Sequence, residues 1–140
     1  RIRTAQNLIR AEIPVSVRID PIIPHVNDQP QRIIKIVSDS GVKHITCSTY
    51  KAKADNWLRL NAAMPRVIEK IKLLYFVQGE KIGGNTLLPR ELRYKILKGI
   101  RDLAEANGMK FGVCREGLAQ LNTATCDGSW LMPKPKGGLG

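Results

Sequence analysis

Two stretches that alternate like strands are joined by a stretch periodic like a helix, and this β–α–β pattern constrains the chain more than any other feature. Val15, Val17 and Ile19 alternate with Ser16 and Arg18, the period of two expected of a strand. The segment "KHITCST", Lys43 to Thr49, reads as a second strand. Between them, Asp28 with Gln31 three residues on has the spacing of a helix-opening capping box. Ile33, Ile34, Ile36 and Val37 give that helix its apolar side, and Gly41 stops it. A helical crossover carries the chain back to its starting end, so the two strands pair in parallel.

The same alternation of elements continues. Ala5, Leu8 and Ile9 mark a helix that breaks before Pro14. Trp57, Leu58 and Leu60 belong to a further helix, and Pro65 starts another carrying Val67, Ile68, Ile71, Leu74 and Tyr75. "GEKIGGN", residues 79–85, lacks the GK[ST] ending of a phosphate-binding loop and reads as a flexible connection. Pro89 opens the clearest helix, with Leu92, Ile96, Ile100 and Leu103 on its core side and Arg93, Lys98 and Arg101 on its solvated side. Asn107 and Gly108 end it before a third strand, Met109 to Cys114. The expected fold class is α/β, a partial parallel (β/α) barrel over residues 1–130. A Pro- and Gly-rich disordered tail is expected over 131–140. Three parallel strands leave edges that need cover, so the sheet must be completed by further chain or by assembly into an oligomer.

Bulk properties narrow the function. The 140 residues suit one domain, with 43% hydrophobic and 25% charged residues. No apolar run is long enough to span a membrane, and no signal-peptide pattern follows Arg1, so cytoplasmic residence is expected. Lys and Arg outnumber Asp and Glu by 23 to 12, a net charge of +11 that suits a nucleic-acid partner. The excess is dispersed, however, and aromatics are only 5%, which equally suits a merely soluble basic chain. Cys47, Cys114 and Cys126 are odd in number and far apart, so neither a metal site nor a disulfide framework is expected.

In parallel α/β folds, chemistry gathers at the carboxyl ends of the strands. Arg18 and Asp20 lie at the first end, Thr46, Ser48 and Tyr50 at the second, and Cys114, Arg115 and Glu116 at the third. Such a set suits a small ligand with a carboxylate, hydroxyls or an amino group, because arginine holds carboxylates bidentately. The i, i+2 spacing of Arg18 and Asp20 also allows a purely structural ion pair.

"EIPVSVRIDPIIPHVND", followed by "SGVKHITCST", "KFGVCREG" and "CDGS", resembles radical S-adenosylmethionine enzymes, most closely the DNA-repair-photolyase or spore-photoproduct-lyase-like branch. The resemblance runs from the initial helix to about Trp130. It implies the C-terminal part of a TIM-like barrel in which Arg18, Asp20 and Ser48 face S-adenosylmethionine. The loop from Pro21 to Asn27 would wall that site, and Cys114 and Tyr50 would take catalytic, substrate-side roles. Two departures stand out. The chain has no CxxxCxxC, so the [4Fe–4S] cluster would come from an N-terminal portion or a complementary subunit and none would be held here. His25 stands where the family commonly has glycine. The competing expectation is a non-catalytic basic module that binds nucleic acid or a cluster-bearing partner.

Overall fold

The computed structural model describes residues 1–134. The chain runs α1 (Ile2–Arg10), β1 (Ser16–Ile22), α2 (Gln31–Asp39), β2 (His44–Thr49), α3 (Ala54–Ala63), α4 (Pro65–Phe76), β3 (Glu80–Ile82), β4 (Asn85–Leu87), α5 (Arg90–Ala106) and β5 (Lys110–Val113). Short 3₁₀ turns follow at Ala119–Leu121 and Ser129–Leu131. β1, β2 and β5 form an open parallel sheet in that order, with Arg18 beside Thr46 and Thr46 beside Gly112. The α/β class and the parallel pairing hold. The three strands do not close on themselves, and among the described residues no strand pairs with the outer edge of β1. No helix among the described residues is long and apolar enough to cross a membrane.

Alternation along the strands sorts the sheet into two unlike faces. Ile19, Ile45, Cys47, Phe111 and Val113 join Ile34 and Val37 of α2 and Leu97, Ile100 and Ala104 of α5 in the main core. A second cluster packs Tyr50 and Ile23 against Ile68, Ile71 and Tyr75 of α4. The opposite face carries Arg18, His44, Thr46, Ser48 and Gly112, and its lower part is covered by the segment from Asn122 to Trp130. That segment is sewn on by hydrogen bonds: Thr46 donates to the Cys126 carbonyl at 2.8 Å and Val113 N–H donates to Asn122 Oδ1 at 2.7 Å. Gly112 is the tightest point, since a Cβ there would sit 2.4 Å from the Cys126 carbonyl oxygen.

His44 anchors the far end of the same segment. Trp130 Nε1–H donates to its Nδ1 at 2.9 Å, which makes Nδ1 an acceptor and leaves the proton on Nε2, 3.2 Å from the Thr46 hydroxyl. The imidazole is fully buried, and desolvation lowers its pKa from the ordinary 6.5 against smaller opposing effects of the Cys126 carbonyl and Asp127.

Four expectations need correction. Asp28 does not cap α2, which opens at Pro30 without a side-chain cap. Its carboxylate instead accepts His25 N–H at 3.1 Å, while Asn27 accepts Ile23 N–H at 2.7 Å, so both side chains order the turn after β1. Ile33 and Ile36 are each 42% exposed, because α2 turns only Ile34 and Val37 inward. The "GEKIGGN" connection is an ordered hairpin, β3–β4, whose Gly83 and Gly84 have φ of 53° and 77°, the positive values a two-residue hairpin turn requires. Arg93 is not on a solvated face but fully buried. Of the expected tail, Leu131 closes a 3₁₀ turn, and residues 135–140 lie outside the described residues.

Overpacking at Gly112 gives one check: Gly112→Ala lowers unfolding stability in urea by about 1–3 kcal/mol. Gly99→Ala, in α5 where a Cβ meets nothing within 4 Å, raises it by about 0.5–1 kcal/mol. A second check concerns His44. Its lowered pKa means the unfolded chain binds more protons below pH 6.5, so stability falls as pH drops through that value toward the folded pKa. His44→Gln flattens this part of the stability–pH curve.

Candidate functional site

A cleft of about 580 Å³ opens at the carboxyl ends of the three parallel strands. Arg18, Asp20 and Pro21 come from β1, Ser48 to Lys51 from β2 and its exit, and Cys114 and Arg115 from the exit of β5. The residues expected at the site, Arg18, Asp20, Ser48, Tyr50 and Cys114, all line it. Thr46 does not. It sits one step below on the same face, committed to the Cys126 carbonyl.

The polar groups at the rim are oriented but loosely held. Ser48 Oγ donates to Asp20 Oδ1 at 2.6 Å, which leaves the other carboxylate oxygen to Arg18 Nη2 at 3.4 Å. With side chains 49% and 32% exposed, that ion pair is worth only about 0–1 kcal/mol. Such a pair is too weak to explain itself as a structural staple, and a ligand can replace either partner at little cost. Cys114 first, and then Asp20, raise the Arg18 pKa against partial desolvation. Cys47 lies behind the cleft in the core, and burial pushes its thiol up to about 12. It therefore stays protonated at neutral pH.

Beneath the rim lies a network that the chain pattern did not reveal. Glu116 is 2% exposed, and its carboxylate accepts Thr49 N–H at 2.6 Å, the Thr49 hydroxyl at 3.0 Å and Lys51 Nζ at 2.9 Å. Arg93 reaches it from α5 at 3.4 Å, donates to its main-chain carbonyl and to that of Leu88, and pairs with Glu80 of β3 at 2.9 Å. The exit of β2 is held from the other side as well. Tyr75 donates to the Tyr50 carbonyl at 2.9 Å, Tyr50 donates to Asn56 Oδ1 at 2.6 Å, and Ala52 exchanges hydrogen bonds with Thr86 of β4. Desolvation raises the phenol pKa of both tyrosines, so both act as donors.

Arg115 completes the wall. Its φ of 55° lies in the left-handed region that a side chain rarely adopts. That conformation accompanies the turn at which Glu116 is buried while Arg115 remains exposed at the cleft. Among the described residues no carboxylate pairs with Arg115. Lys51, Thr49 and Asn56 have no sequence signal of a site, because only tertiary partners bring the end of β2, the loop after it and the start of α3 to the cleft. Among the described residues, no three His, Cys, Asp or Glu side chains gather closely enough to hold a metal ion.

No protein-family model, curated protein or solved structure matches the chain.

The buried network predicts a large asymmetry. Arg93→Met leaves Glu116 without a principal counter-charge and destabilises the fold by about 3–5 kcal/mol in urea unfolding. Adding Glu116→Gln to that variant recovers part of the loss. A single-variant cost below about 1 kcal/mol, the range of an exposed pair, contradicts the network.

Proposed function

We propose that this chain is the C-terminal portion of a radical S-adenosylmethionine enzyme that forms part of the cofactor and substrate pocket and acts on nucleic acid. The observation that carries the reading is the convergence of Arg18, Asp20, Ser48 and Cys114 on one cleft at the strand ends. S-adenosylmethionine offers a carboxylate, an ammonium and ribose hydroxyls, and the rim offers a guanidinium, a carboxylate and a hydroxyl to meet them. In this reading Arg18 binds the carboxylate, and Asp20, oriented by Ser48, accepts from the ammonium or the ribose. Cys114, partly exposed on the wall, presents its thiol hydrogen to the substrate. Tyr50, whose hydroxyl already donates to Asn56, lines the wall on the substrate side in this reading.

The [4Fe–4S] cluster does not fit this chain. Cys47 is sealed in the core, while Cys114 and Cys126 stand alone. In this reading an N-terminal portion or a partner subunit would hold the cluster, which would supply the electron for S-adenosylmethionine cleavage. The partial sheet would then be the C-terminal part of a barrel, with the outer edge of β1 continuing into the other part. A cytoplasmic location suits both the cofactor and the substrate. The competing reading is a non-catalytic basic module for nucleic acid or for a cluster-bearing partner.

Protein extended by the coding sequence ahead of Arg1 and reconstituted anaerobically tests the proposal. The expected results are a CxxxCxxC in frame, cluster absorbance and S-adenosylmethionine binding. Arg18→Ala then weakens that binding about tenfold or more, the worth of a hydrogen bond to a charged group, with unchanged far-UV circular dichroism. Absence of both the motif and the binding overturns the enzyme reading and leaves the module.

A further inference from the structure

We propose that the recess beside Trp57 and Phe76 is a second binding site, one that takes an unpaired base and the adjoining phosphate of a single-stranded nucleic acid. The inference rests on the reading above that the substrate is nucleic acid, and it assigns part of the recognition to residues outside the cleft.

Sequence composition shows few aromatics, but folding gathers most of them in one place. Tyr50, Trp57, Tyr75 and Phe76 form a contiguous group, with Trp57 and Phe76 edge to face at 4.7 Å between ring centroids and Tyr50 and Trp57 at 6.3 Å. Tyr50 and Tyr75 are buried, whereas Phe76 is 55% exposed at the end of α4. The ring is held by Trp57 yet open to solvent, as a stacking surface needs to be.

The recess in front of these rings has a volume of about 450 Å³, within the range of roughly 300–1,000 Å³ usual for ligand sites. Its far wall is the β3–β4 turn, where Gly83 and Gly84 carry no side chains and even an added Cβ would meet nothing within 4 Å. The turn therefore leaves its side of the recess free of side-chain obstruction. Lys53 and Lys81 flank the opening, and among the described residues neither has a carboxylate at ion-pair distance. Lys51, by contrast, is spent on Glu116.

A ring surface next to two uncommitted ammonium groups matches a nucleobase and its phosphate. Stacking is indifferent to sequence because every base has a π-face, and it requires a base free of a duplex. The recess also adjoins the cleft: Asn56 lines the cleft, Trp57 lines the recess, and they are neighbours on α3. The +11 charge of the chain favours a polyanion over a neutral aromatic ligand.

Anisotropy titration of a labelled short oligothymidylate at several salt concentrations tests the site. Affinity is expected to fall with salt. Lys81→Gln should reduce the slope of log K against log salt by about 0.7, the share of one phosphate contact on a single strand. Phe76→Ala removes an exposed ring without opening the core and should weaken binding about tenfold. Lys35→Gln, on α2 and paired with Asp39, should change neither quantity. No binding at low salt, or binding unchanged by Phe76→Ala and Lys81→Gln, overturns the site. Equal binding of polyglutamate would also overturn it. If the extended protein binds S-adenosylmethionine but oligothymidylate binding fails these tests, only this inference falls. The reverse result overturns the cofactor reading and leaves the site standing.

Discussion

A carboxylate taken out of water must be answered by donors from several directions, and in this molecule the answering groups come from the end of β2, the loop after it and α5. Glu116 receives the backbone and hydroxyl of Thr49, the ammonium of Lys51 and the guanidinium of Arg93. Through Arg93 it is joined to the β3–β4 hairpin at Glu80 and to the turn before α5 at Leu88. The exits of β2 and β5 are thereby fixed relative to each other, which is the condition for side chains from different strands to share a ligand. Burial makes this possible because the same contacts at the surface would be worth little.

The rim is built on the opposite principle. Arg18 and Asp20 are half-exposed and weakly paired, and only Ser48 gives the carboxylate a direction. A rigid base under an adaptable rim keeps the ordering cost of the scaffold separate from ligand contact. Any ligand of the cleft then meets groups whose backbone is already placed.

The elements were legible where a simple period dominates. Val15, Val17 and Ile19 alternate cleanly, Ile34 and Val37 have helical spacing, and Pro65 and Pro89 mark helix starts, so the β–α–β frame and the residues at the strand ends could be read directly. Legibility failed where a residue's role comes from a distant partner. Arg93 shares the buried stripe of Leu97, Ile100 and Ala104, but its charge pointed to solvent, because its partner Glu116 lies 23 residues away in sequence and is adjacent only after folding. Asp28 has capping spacing but serves a turn. The hairpin was missed because its strands are only three residues each, too short for alternation to register, although Gly83 and Gly84 carried the turn signal. His25 departs from the glycine of the resembled family yet adopts φ of 65°, the backbone a glycine would favour, with its N–H held by Asp28.

Among the described residues no strand pairs with the outer side of β1, which bears on how this chain behaves among its own copies. A free edge offers donors and acceptors to any second strand, and neighbouring molecules carry an identical one. Against this stands mutual repulsion between bodies of charge +11, which acts over a Debye length and shrinks as ions are added. Like charge thus opposes pairing at this edge and dissolved ions relax that opposition, so the colloidal state of the chain is tied to the composition of its solvent.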